Sequence, residues 1–211
     1  MATITTRAEL LTAVNNELHR SFSTSDQDYA IINAENKIFN DKRLRIRSME
    51  TSSDVTISSG DQTSSLPTRY VRQRRLYLST TPIVRLRYMT PINFWSRYAS
   101  TLTGQPISYT IEGENYTWGP KPDAGYTAKS LHYARPARLT QADSSNGILT
   151  DTSLYFYGVL AHLNHNLRRF DAAAHWFAML EDEIISVTSA DEADRHSGDT
   201  MVQEDTNVMV V

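Results

Sequence analysis

Apolar residues in the first 48 positions recur at helical spacing. Leu10, Leu11, Val14 and Leu18 mark a first helix. Thr6 stands three residues before Glu9, the arrangement of a capping box. After the polar turn Ser21–Asp26, Ser25 or Asp26 can cap a second helix whose apolar positions are Tyr29, Ile32, Ile38 and Phe39. Arg43, Arg45 and Arg47 fall near its end, where the helix dipole favours cations. The pattern changes at Met49. Val55 and Ile57 suggest a short strand, and Arg74–Leu78 and Ile83–Tyr88 two more. Ile107, Tyr109 and Ile111 alternate with Ser108 and Thr110, and Glu112-Gly113-Glu114-Asn115 can reverse the chain into a hairpin that returns through Tyr116 and Trp118. Thr127–Ala134 reads as a further strand, and Phe94, Trp95 and Tyr98 as a short helix or turn within 90–102.

Helical spacing resumes with Leu154, Val159, Leu160, Leu163 and Leu167. Arg168-Arg169-Phe170 is a tight connection, and Asp171 can cap a helix carrying Trp176, Met179, Leu180 and Ile184. So short a link demands an antiparallel helical pair. All seven prolines lie between Pro67 and Pro136, which separates a β/loop section from helical ends. The expected fold is α+β, mainly α: a four-helix bundle from 1–48 and 150–187, a β-rich insertion at 49–149, and a tail at 188–211 that orders only on a partner.

Composition narrows the function. With 40% hydrophobic residues a sizeable core is available. No apolar run is long enough to span a bilayer, and Met1–Thr6 lacks the blocks of a signal peptide, so no membrane partner is expected. Cysteine is absent, which excludes disulfides, thiolate nucleophiles and Cys-ligated zinc. There is no phosphate-binding glycine loop and no nucleophile elbow. His162 and His165 share helical spacing, with Asp171 and His175 nearby, but they lack the glutamate of a zincin helix. Glu181, Asp182 and Glu183 are neighbours on one helix that point about 100° apart, and they read as a solvated face. No enzyme activity, metal or cofactor is expected.

Charge is unevenly distributed although the net charge is only −3. Arginines dominate 42–97, while acids dominate from Glu181 onward, with Arg195 alone against them. Arg72, Arg74, Arg75, Arg85 and Arg87 are interleaved with Tyr70, Tyr77 and Tyr88. This group suits intersubunit ion pairs or a channel wall; the alternative is a nucleic-acid-binding module that grips phosphates and stacks bases.

The ordered series of motifs resembles the head-to-tail adaptor (connector) proteins of tailed bacteriophages. It runs from Glu9-Leu10 through Leu66-Pro67-Thr68-Arg69-Tyr70, Pro106–Gly113 and Trp118–Pro122 to Leu131-His132-Tyr133, with Pro136 and Leu139. It then takes in Ile148-Leu149, the Leu154–Leu160 helix and the helix containing Trp176. The likeness covers roughly residues 6 to 187. It implies a virion protein without enzymatic activity, assembled in the host bacterial cytoplasm. Its copies form a ring, expected to be a dodecamer, that binds the portal protein on one side and a tail, nozzle or tail-fibre protein on the other. The ring encloses the channel through which genomic DNA leaves. The helical bundle mediates ring contacts and the C-terminal extension grips the portal. On this resemblance Val208, Met209, Val210 and Val211 are the candidate portal anchor, beyond an acidic segment that folds on binding.

Overall fold

The computed structural model describes residues 4–98 and 102–195. Among them are six α-helices and ten strands in three sheets. The chain divides into two compact units. One takes the described residues up to Arg47 and those from Arg138 onward; the other is Ser48–Ala137.

The first unit is helical. α1 (Arg7–Glu17) begins with the expected capping box: Thr6 Oγ1 accepts from the Glu9 amide, and Glu9 Oε2 accepts from the Thr6 amide at 3.1 Å. α2 (Thr24–Asn40) is capped by Ser23, two residues earlier than the first of the expected caps. Its buried face is Ala30, Ile31, Ala34, Ile38 and Phe39, whereas Tyr29 and Ile32 face solvent. α4 (Gly147–Asp151) is a short helix capped by the Asn146 side chain. α5 (Leu154–Asn166) and α6 (Phe170–Arg195) form the antiparallel pair that the tight connection demands.

These helices do not form the expected four-helix bundle. α5 buries Leu154, Tyr155, Gly158, Val159, Leu160, Ala161, Leu163 and Asn164, more of its circumference than one stripe. A helix that is apolar nearly all round must be enclosed. α5 is therefore a hub, with α1, α2, α4 and α6 packed against it. α6 also continues eight residues past the expected boundary at Val187. Asp191 explains the extension: its Oδ1 accepts from the Arg47 amide at 2.9 Å, and its other oxygen pairs with Arg195 one turn on.

The second unit is a two-sheet sandwich with its own core, so it is a compact unit in its own right and not an insertion carried by a helical bundle. Among the described residues 43% are helical and 25% are in strands. β1 (Glu50–Ile57), β10 (Tyr126–Ala134), β3 (Tyr70–Leu78) and β4 (Val84–Arg85) make one antiparallel sheet in that order. β2 (Thr63–Ser65), β8 (Asn115–Gly119), β7 (Ser108–Glu112) and β5 (Arg87–Tyr88) make the other. β6 (Thr103–Gly104) pairs with β9 (Lys121–Pro122). Val55, Ile57, Leu76, Leu78 and Ala128 from the first sheet meet Tyr109, Tyr116 and Trp118 from the second. Such inward alternation from two facing sheets is how a sandwich buries its core. The chain changes sheets at buried Leu86, between β4 and β5, where the Leu86 amide still donates to the Leu76 carbonyl at 3.0 Å. The hairpin β7–β8 closes where expected, with Glu112 paired to Asn115 and Gly113 at φ +59°, a conformation that glycine adopts without strain. α3 (Pro91–Arg97) covers the β7–β8 edge through Phe94 and Tyr98.

Candidate functional site: an arginine-bearing sheet face

Four of the five arginines singled out in the sequence share the outer face of the β1-β10-β3-β4 sheet. Residues paired across neighbouring antiparallel strands point to the same side. The pairings give three outward rows: Asp54-Lys129-Tyr77-Arg85, then Ser52-Leu131-Arg75, then Glu50-Tyr133-Arg72. The β1 margin thus carries carboxylates and the β3–β4 margin guanidiniums. Lys129 Nζ binds Asp54 Oδ2 at 2.6 Å, and Arg74 pairs with Glu50. The Arg75 guanidinium lies over the Tyr77 ring, 5.4 Å from its centroid. Arg87 stands apart, past the corner at Leu86, in the other sheet. Arg72, Arg75, Arg85 and Arg87 are exposed and make no ion pair among the described residues.

Strict alternation along Arg72-Gln73-Arg74-Arg75 cannot put all three arginines outside. The register of β3 against β10 shifts between Leu131 and His132 and again between Tyr133 and Ala134. Each shift lets two β3 residues face one partner, which is a β-bulge. Gln73 is thereby turned inward while Arg72, Arg74 and Arg75 stay exposed. A buried polar network holds that arrangement. Tyr116 donates its hydroxyl to Gln73 Oε1 at 2.6 Å, and Gln73 Nε2 donates to the Leu131 carbonyl at 3.0 Å and to Ser130 Oγ at 3.1 Å. Ser130 Oγ in turn contacts His132 Nδ1 at 3.1 Å. Burial pushes the Tyr116 hydroxyl up to about 12 and the His132 imidazole below its usual range, so both are neutral near pH 7. The network sets the register that presents the guanidiniums.

The other sequence candidates are dispersed. His162 packs edge-on against Phe177, and His165 against Phe170. Burial depresses the His162 pKa. No cluster of three metal-ligating side chains occurs among the described residues. The acidic trio on α6 is more than a solvated face. Glu181 bridges to Lys37 at 2.8 Å and to Arg43, and Glu183 accepts from the Ser153 amide at 3.1 Å. Hydrogen bonds from Arg43 and then Lys37 hold the Glu181 carboxyl below its usual pKa. Val208, Met209, Val210 and Val211 lie outside the described residues.

One residue with a defined role went unnoticed in the sequence. Glu35 on α2 is only 1% exposed. Its Oε1 accepts from the Leu139 amide at 2.8 Å and from the Tyr155 hydroxyl at 3.3 Å, and Arg138 lies 3.4 Å from Oε2. It clamps α2 to α5 and to the segment where the chain re-enters the helical unit. Burial raises its pKa, against the opposing pull of the Leu139 amide and the Arg138 charge. The signal was its position beside Ala34, inside the apolar stripe from Ala30 to Ile38.

No curated protein matches the chain. The model of the SU10 adaptor protein family matches residues 5–203, nearly the whole length. The chain therefore belongs to the SU10 adaptor protein family, a family of phage head-to-tail adaptors, as its motif series indicated.

Proposed function

We propose that this protein forms a closed ring, of twelve copies as the resemblance implies, that joins the capsid portal to the tail and encloses the DNA exit channel. Family membership carries the reading. The charge distribution agrees with it: a head-to-tail ring needs two different complementary faces on each copy. Here Arg72, Arg75 and Arg85 are outward cations without an ion pair among the described residues, and the sequence from Glu181 onward is acidic. The arginine face serves intersubunit contacts. The acidic segment after Arg195, ending in Val208-Met209-Val210-Val211, is the portal-gripping strap.

Negative-stain imaging of the protein mixed with its portal tests the reading. Ring density beneath the portal is expected, and its absence overturns the proposal. Removal of 196–211 leaves the Asp191 contact intact and is expected to weaken portal docking without lowering the melting temperature; unchanged docking removes the strap assignment. The same exposed arginines support a second reading, a sequence-independent DNA contact. Salt-sensitive DNA binding by the wild type that is lost in the Arg72→Ala/Arg75→Ala/Arg85→Ala variant favours it, and binding absent at low salt eliminates it.

A further inference from the structure

His132 on β10 is fully enclosed, with 0% of its surface exposed, inside the polar network that sets the β3 register. Its two ring nitrogens are not alike. Nδ1 meets Ser130 Oγ at 3.1 Å, whereas Nε2 is buried and has no hydrogen-bond partner among the described residues. A neutral imidazole carries one N–H and an imidazolium two. The charged ring would therefore bring two donors to one acceptor, Ser130 Oγ. That oxygen is already shared, because Gln73 Nε2 donates to it at 3.1 Å. To take a second donor it must turn its own proton toward the Tyr116 hydroxyl or Gln73 Oε1, each 3.3 Å away. The N–H at Nε2 would still lack an acceptor. Burying a charge whose donors are not all paired is costly.

The groups that face the ring do not offset that charge. Tyr70 of β3 lies against it with centroids 5.6 Å apart, and Tyr116 of β8 reaches it through Ser130. Burial raises both phenols above their ordinary range, so both are neutral. β1 sets Thr51 opposite His132. The charged side chains of these strands, Glu50, Asp54, Arg72, Arg75 and Lys129, belong to the outward rows, and Arg74 is exposed and paired with Glu50.

We infer that His132 is a proton-operated release for the β3–β10 register. Proton uptake expels the ring from the network, Gln73 loses the Ser130 contact that helps to hold it inward, and the bulged stretch Arg72–Arg75 is freed to slip. A slip of one residue turns each side chain of a strand to the other face, so the outward setting of Arg72, Arg74 and Arg75 is lost with it. The device lies within one copy and goes beyond the ring reading. Burial holds the folded-state ring below its usual pKa, so the opened strand takes the proton first. The lock is complete above about pH 6.5, the ordinary histidine value, and weakens as pH falls below it.

Hydrogen–deuterium exchange of the full chain at about pH 7 and about pH 5.5, corrected for the intrinsic pH dependence of exchange, tests the inference. Between those values one proton of ordinary affinity raises the open population roughly eightfold. Protection is expected to fall by that factor in 70–78 and 126–134, while 108–119 in the facing sheet keeps its protection. His132→Asn retains a hydrogen-bonding group at the Nδ1 position and cannot take up the proton, and its protection is expected not to respond to pH. Protection in 70–78 that is unchanged in the wild type, lost equally in His132→Asn, or lost together with 108–119 overturns the inference. Independently of the variant, the wild-type His132 imidazole, followed by nuclear magnetic resonance, is expected not to titrate near pH 6.5 while 70–78 stays protected. An ordinary titration with 70–78 still protected overturns the inference as well.

Discussion

Gly158→Ala is a sharp test of how α2 and α5 meet. A Cβ at Gly158 would lie 2.9 Å from the Ala34 Cβ and 3.6 Å from its Cα. Carbon atoms pack best at about 3.5–4.0 Å, so the helices must part by roughly 0.6–1.1 Å or distort. Both positions are buried, and the obstructing atom is fixed to the backbone, so no rotamer change can relieve the contact. Overpacking of this kind costs about 1–3 kcal/mol. Replacing a mid-helix glycine by alanine returns about 1 kcal/mol of helix propensity. The net expectation is a loss of about 0–2 kcal/mol at a position where propensity alone predicts a gain. The double variant decides the cause. Ala34→Gly alone costs about 1 kcal/mol of propensity, but in the Gly158→Ala background it also removes the clash. The double variant is then expected to return close to wild-type stability, with a coupling of about 1–3 kcal/mol. Urea unfolding followed by far-ultraviolet circular dichroism reads these differences from the midpoints at constant m-value. A stabilised Gly158→Ala variant, or strictly additive effects, would refute the close approach of the two helices.

Two further substitutions probe separate parts of the molecule. Glu35→Gln tests the buried carboxylate. Burial holds the folded-state pKa of Glu35 above its ordinary value, so the folded protein takes up this proton before the unfolded chain does. The Glu35 contribution to stability therefore grows as pH falls from neutral through the raised pKa toward the ordinary carboxylate value. Arg138 and Tyr155 are the titratable groups facing it, and burial raises the Tyr155 hydroxyl further above its ordinary range. Relative to Glu35→Gln, the wild type should gain stability between pH 7 and about pH 5, and identical pH slopes in urea titrations would discard the assignment. Gly119→Ala would drive a Cβ to 2.5 Å from Tyr98 Cδ2 and 2.7 Å from Phe94 Cε2. Its expected cost is about 1–3 kcal/mol, read as a lower urea midpoint, and an unchanged midpoint would show that α3 does not pack on β8 as described.

Local chemistry made several elements legible before any tertiary contact was known. The capping box at Thr6 and Glu9, the Gly113 turn and the tight Arg168–Phe170 connection each act within a few residues, and each holds in the structure. The arginine group was legible as a surface feature. Its geometry was not, because the two bulges in β3 come from pairing with β10, a strand more than fifty residues away. The eight-residue span of β1 was equally hidden: Glu50–Asp54 is polar and has no strand signal until β10 pairs with it.

The sequence by itself determined the capping box of α1, the Gly113 turn, that a β section lies between helical ends, and which family the chain joins, since those follow from short-range sterics, capping and ordered motifs. Tertiary structure decided which apolar residues are inside. Tyr29 and Ile32 sit at helical spacing yet face solvent, while Ala30, Ile31 and Ala34 are buried, because the face of α2 that meets α5 at Gly158 is the one carrying Ala34. It also decided that the β section has a core of its own. Tyr109, Tyr116 and Trp118 find their partners on another sheet, and periodicity along one strand carries no information about what lies across from it.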